Sequence, residues 1–384
     1  MLHRNMMRRA SFRHWLLAAC AMMLVGLASP SVGQEADESQ YRSSLNSALD
    51  ALIAKCSKLP QRRVIFSANL IFAHGLGIRN TSTTVLLQYI DGLKAAGAQR
   101  IEFNPGVTGI DDPEIAQKYD AVVKHIRELG LAVQINLEYA VIGDKKADPK
   151  VKRFRDFAAP AVKACEKFAA RYHPEYLVPV HEPVTMNSRM KIQAPPRAWA
   201  AYVHAAVEAI KRVSPNTSVG AGGLHFELPY YRAFADMPDL DFLTVDIYDH
   251  GHFDVYDQMA QIAHAAHKPV FIEETWRTAF TGPLPRNALS VGVQPLAIKG
   301  SGNAAFEDLD EKWIRAMALF ASTHQIEAVT PFWSQSLFLY VSSGPDRGTE
   351  AAYNQKVIRA LAQGQRTKLF EVYQSLQHEY GNLH

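Results

Sequence analysis

EYLVPVHEP (175–183) and KPVFIEETW (268–276) are each an apolar, β-branched run that stops at a carboxylate. A run of this length bounded by turn residues reads as a strand buried in a parallel sheet. Glu182 and Glu274 then stand at the carboxyl ends of two such strands, which is where barrels of parallel strands carry their chemistry.

Outward from these two segments, strand-like and helix-like runs alternate. A helix over about 39–58 comes first. The strand runs 63–72, 100–105, 131–140 and 176–182 follow, separated by helical patterns over about 82–96, 113–129 and 149–171. The second half repeats the scheme: strands at 218–226, 241–248, 269–274 and 328–333, with helices over about 196–213, 229–236, 254–266, 306–324 and 350–363. Alternating β and α units imply parallel strands with right-handed crossovers. Eight units in about 300 residues fit a single (β/α)8 TIM barrel with an extra N-terminal helix better than a doubly wound sheet. No Gly-rich phosphate loop opens a helix after the first strand, and Gly220-Ala221-Gly222-Gly223 reads as a strand whose glycines permit close packing. The longest loops, from Trp276 to about Ala305 and from Ser334 to about Thr349, fall on the catalytic face of that barrel and would wall a cleft.

The chain is 48% hydrophobic and 21% charged, ordinary for a globular protein with a large core. Residues 1–33 read as a secretory signal: Arg4, Arg8, Arg9 and Arg13 precede the apolar stretch Trp15 to Leu27, which is too short to span a bilayer. Cleavage is expected after Gly33 or Ala28, leaving 34–384 as one catalytic domain, secreted or periplasmic. Removing four Arg takes the formal charge from +3 to −1, so the basic balance belongs to the leader and argues for no nucleic acid. Leu17-Ala18-Ala19-Cys20 is similar to a lipoprotein box, but Cys20 lies mid-way through the apolar run, which disfavours a lipid anchor. Cys56 and Cys165 remain, read as two buried thiols in preference to one disulfide. No Cys/His spacing marks zinc; His250 and His252 in YDHGHFD form a pair with no third ligand spaced nearby. The expectation is therefore no metal and no cofactor, in a monomer with no membrane span.

Two carboxylates converging on one mouth are the minimum equipment for glycoside hydrolysis. Here the sequence resembles the clan A glycoside hydrolases, retaining β-glycosidases on (β/α)8 barrels. In that clan the acid/base Glu ends strand four, commonly as Asn-Glu-Pro, and the nucleophile Glu ends strand seven after a Lys-Pro-apolar run. VPVHEP and KPVFIEETW match those places, with His181 standing where Asn is commoner, as in a β-mannanase family of the clan. The resemblance implies Glu182 as acid/base and Glu274 as nucleophile, acting on a carbohydrate such as a mannan, galactan or glucan. Glu273 competes for the nucleophile's role; strict strand alternation would turn one of the two away from the mouth, and the clan's register favours Glu274.

The resemblance also implies that Trp333 floors the sugar subsite and that Tyr248 donates its hydroxyl to the nucleophile. Either Phe332 or Trp333 must point inward. His181 would bond a sugar 2-hydroxyl, or else be a satisfied core histidine, and Asp246 is expected deeper in the barrel. Asn69, His74, Asn104, Glu138, Tyr139 and His225 line other strand ends, and Trp276 and Arg277 open the long loop; Asn104, Glu138 and Trp276 are counted with the substrate-binding set. The competing readings are a degenerate carbohydrate-binding barrel without activity and a lyase or aldolase acting on phosphorylated sugars. The latter lacks a phosphate loop and a strand-end Lys.

Overall fold

The computed structural model describes residues 33–138, 151–277, 303–341 and 350–382. The leader, Tyr139 and much of both long loops lie outside the described residues.

Eight parallel strands close in sequence order into a barrel, β1 pairing with both β2 and β8. The strands are β1 Ile65–Asn69, β2 Arg100–Phe103, β3 Ala132–Asn136, β4 Tyr176–Val180, β5 Ser218–Gly223, β6 Phe242–Ile247, β7 Val270–Thr275 and β8 Ala328–Pro331. The helices are α1 Gly33–Cys56, α2 Thr83–Ala95, α3 Pro113–Glu128, α4 Phe154–Tyr172, α5 Pro183–Met190, α6 Pro196–Val213, α7 Leu228–Ala235, α8 Phe253–Ala265, α9 Glu307–Thr323, α10 Glu350–Ala362 and α11 Lys368–Tyr380. This is the (β/α)8 barrel the alternation implies. No described helix is long and apolar enough to cross a membrane.

Helix α3 shows why the outer layer forms. Asp112 caps it by accepting from the Glu114 and Ile115 amides, with Pro113 in the first turn. Ile115, Tyr119, Val122 and Ile126 recur on one face and are buried, and Gly130 at φ +68° ends the segment. Helix α1 begins at Gly33, earlier than expected, and buries Tyr41, Leu45, Leu49, Leu52 and Cys56. Two helices are additional to the expected order: α5, directly after Glu182, and α11, whose Tyr373 hydroxyl donates to the Ser67 carbonyl at 2.7 Å. Cys56 and Cys165 are buried free thiols.

Strand side chains sort by direction. Phe66, Ile101, Val133, Val219, Leu243 and Ile272 join the helix-facing apolar core. A small separate cluster of Val178, Phe242, Phe271 and Ala328 plugs the amino-terminal end of the barrel. Above the plug the interior turns polar: Arg100, Glu102, Gln134, Asn136, Thr244 and Thr330 are all fully buried. Arg100 makes the transition, its guanidinium lying 4.5 Å from the Phe271 ring and 5.1 Å from the Tyr176 ring while Nε donates to Ser67 Oγ at 2.7 Å. The close-packing reading of the β5 glycines holds: a Cβ on Gly222 would sit 1.8 Å from the Thr244 carbonyl oxygen.

Candidate active site

Two strands carry an extra residue at the mouth. In β7, Val245 pairs with Ile272 but Asp246 pairs with Glu274; on the other side Ile272 pairs with Val329 and Thr275 with Pro331. A bulge therefore sits at Glu273–Glu274, and a bulge re-aims side chains. Both carboxyls come near one ring nitrogen, His181 Nδ1 standing 3.4 Å from Glu273 Oε1 and 3.8 Å from Glu274 Oε1. Strict alternation, which would turn one of the two away, does not hold here. Strand β4 has a similar shift between Leu177 and Val180, around Pro179, a residue confined to such places within sheets.

Glu274 is 5% exposed. The Tyr248 hydroxyl donates to its Oε2 at 2.6 Å and Asn104 Nδ2 to its Oε1 at 3.4 Å. Asn104 is itself fixed by Asn69, which donates to it at 3.1 Å and to Glu102 at 3.0 Å. Burial, then the charge of Glu182, pushes the Glu274 carboxyl well above its ordinary value, with the Tyr248 bond opposing. Glu182 is half-buried at the entry of α5. Its carboxylate, that of Glu274 and that of Asp246 each offer an oxygen within 4.8 Å of the others. Asp246 is fully buried, and burial followed by the charge of Glu274 raises it strongly. Glu273 is likewise raised by burial and by Glu102, against Thr244 and Arg100. Glu102, below them, is pushed up to about 7 by burial, with the Asn69 bond and Arg100 opposing.

His181 sits inside this cluster, its Nδ1 3.5 Å from Asp246 Oδ2 and its Nε2 3.9 Å from Glu138 Oε1. Burial lowers its pKa more than Glu182 and Glu138 raise it, so the ring is held neutral. Glu138 behaves oppositely. Though burial acts upward, His74 at 3.0 Å and Arg189 at 3.3 Å hold it well below the carboxylate range.

The aromatic residues divide. Phe332 lies edge-on to His74 at 5.6 Å and to Tyr248 at 6.4 Å. Trp333, 7% exposed, packs edge-on against Phe332 at 4.8 Å. Trp276 is 1% exposed and belongs to the apolar core. Arg277 is buried against Asp310 at 2.5 Å, with its guanidinium over Phe306. His250 turns to Ser44 at 3.2 Å.

Two site residues escaped the sequence reading. Arg189 reaches Glu138 from α5, whose start was signalled only by Pro183 after Glu182. Glu227, fully buried, accepts from the Val184 amide at 2.5 Å and the Leu224 amide at 2.8 Å. It thereby seats the first turn of α5 beside Glu182, as an acid at a helix N-terminus does.

Solved structures share this fold. An exo-β-1,4-mannosidase, Op5Man5, from Opitutaceae bacterium strain TAV5 aligns with a TM-score of 0.56 and 12% identity, covering 84% of this chain and 60% of that one. An endo-1,4-β-mannanase from Rhizomucor miehei aligns with a TM-score of 0.51 and 11% identity, covering 79% of this chain and 98% of that one. The chain thus spans about 60% of the length of the Opitutaceae protein. At these identities the likeness is one of fold. No protein-family model matches the chain, and no curated protein matches it in sequence.

Proposed function

We propose that the chain is an exported, retaining β-glycosidase in which Glu182 is the acid/base and Glu274 the nucleophile. The observation that carries the reading is the approach of Glu182 and Glu274 oxygens to within 4.8 Å, with Tyr248 on Glu274. Retaining carboxyl pairs stand about 5–5.5 Å apart and inverting pairs about 6.5–9.5 Å. Export rests on the basic, then apolar, leader. The two mannan-active proteins of like fold favour a β-mannoside over a galactan or glucan.

Tyr248 and Asn104 both donate to Glu274, bonds that favour its charged form against the upward push of burial and of Glu182. Glu274 attacks the anomeric carbon while Glu182 gives its proton to the departing glycosidic oxygen, leaving a glycosyl ester on Glu274. Glu182 then takes a proton from water, which attacks the same carbon and frees Glu274 with retained configuration. Neutral His181 is placed to meet a sugar hydroxyl through Nε2, and Phe332 offers a ring face beside Trp333.

Azide tests the roles. Glu182→Ala should be rescued to give the retained β-glycosyl azide and Glu274→Ala the inverted α-azide, because the anion replaces a base in one and enters from the vacated face in the other. Swapped products would reverse the assignment, and an unaffected Glu274→Ala enzyme would end it. The strong upward push on Glu274 favours one rival, a sugar-binding barrel with a neutral, unreactive Glu274. Binding of manno-oligosaccharides without turnover of aryl β-glycosides between pH 5 and 9 would establish that rival.

A further inference from the structure

Of the two histidines close in sequence, His250 turns to Ser44, and it is His225 that stacks with His252. His225, at the exit of β5, stacks on His252 with ring centroids 4.5 Å apart and planes 23° apart. Both rings aim Nε2 at one oxygen, Asp249 Oδ2, at 3.6 Å from His252 and 3.9 Å from His225. We infer that His225, Asp249 and His252 form a site for a zinc-like divalent transition metal on the barrel rim, apart from Glu182 and Glu274. The three candidate ligand atoms lie within 4.8 Å of one another. Hydrogen bonds to a carboxylate would close to about 2.7–3.2 Å. Tetrahedral zinc with bonds of about 2.0–2.2 Å instead separates its ligands by roughly 3.3–3.5 Å, so the two histidine–aspartate spacings need to contract by only a few tenths of an ångström.

The supporting shell is also in place. His225 Nδ1 lies 3.1 Å from the Tyr256 hydroxyl, a bond that fixes the ring and, with the proton on Nδ1, presents Nε2 as ligand. Asp249 Oδ1 accepts from the Gly251 amide at 2.9 Å, and Oδ2 is the oxygen nearest the two histidines. The group borders a cleft of about 520 Å³ that gives the ion entry and room for a water as fourth ligand. The Tyr256 oxygen also accepts from the Tyr248 amide at 3.4 Å. A metal here would therefore pin the segment that delivers Tyr248 to Glu274, although the site itself does not depend on the glycosidase reading.

The test uses the untagged chain, stripped with a chelator and titrated with Co²⁺ while visible d–d absorption is followed. One equivalent should bind with the intense bands of four-coordination, and Zn²⁺ should displace it. His252→Ala, at a partly exposed ring, and His225→Gln should each weaken binding at least 100-fold, with the far-ultraviolet spectrum confirming the fold. His181→Ala and Glu274→Gln should bind as the parent does. Absence of saturable binding, binding that survives both rim substitutions, or loss of binding on His181→Ala would overturn the assignment.

Discussion

Replacing Tyr248 by Phe removes one oxygen and, with it, the 2.6 Å bond to Glu274 Oε2. That length is typical of a hydroxyl donating to an ionised carboxylate, an interaction of about 1.5–3 kcal/mol. If the bond favours the ionised nucleophile, its loss lowers kcat/KM by about 10- to 150-fold, at about 1.4 kcal/mol per tenfold. The same loss raises the Glu274 pKa, because a donor to the charged form had been holding it down. One unit corresponds to about 1.4 kcal/mol, so the acidic limb of the kcat/KM–pH profile should move upward by about 1–2 units. Tyr248 itself does not titrate in this range, since burial and then the charge of Glu274 push its phenol well above its ordinary value. The assay is kcat/KM for an activated aryl β-glycoside across pH 4–8. An unmoved acidic limb with kcat/KM within twofold of the parent would refute the role given to this bond.

Two further substitutions probe the barrel interior. Asp246→Asn should stabilise the protein at neutral pH: the native carboxyl is raised above its unfolded value of 3.8, so the parent loses stability as pH rises from there through the folded pKa. Urea midpoints at pH 4, 5.5 and 7 should show a gain that grows with pH, and a gain that shrinks would contradict the burial argument. Gly222→Ala would place its Cβ 1.8 Å from the Thr244 carbonyl oxygen and 2.2 Å from its Oγ1. Backbone cannot yield as a flexible side chain does, so the cost should reach or exceed the roughly 1–3 kcal/mol of ordinary overpacking; a melting temperature within a degree or two of the parent would refute the close approach.

The eight strands were legible because their outward residues are apolar and their ends are marked by turns and carboxylates. Glu182, Glu274 and Tyr248 were legible for a related reason, since a polar residue closing an apolar run stands out. What escaped depends on register between strands. A bulge is a mismatch of two chains, so nothing local to FIEET announces that Glu273 is the extra residue. Helix α11 was missed because Lys368–Tyr380 lies past the last strand, outside the alternating pattern, although Leu369, Val372, Tyr373 and Leu376 mark a buried face. His225 and His252 are 27 positions apart and meet only because β5 and β6 are neighbours.

Protonation is the deepest layer hidden from the sequence, because depth in the barrel sets it. Glu138, near the rim, has His74 and Arg189 against it and is held ionised. Glu102, Asp246 and Glu273 lie below, with the buried Arg100 acting on Glu102 and Glu273, and burial drives all three toward the neutral form. Glu274 shares their upward push, from burial and from Glu182, but the Tyr248 hydroxyl draws it back. Such a position suits a group that must be ionised to attack and neutralised as an ester afterwards. The neutral carboxyls beneath it matter for the same reason: were Asp246 or Glu273 charged, each would add to the repulsion that Tyr248 and Asn104 must offset to keep Glu274 ionised.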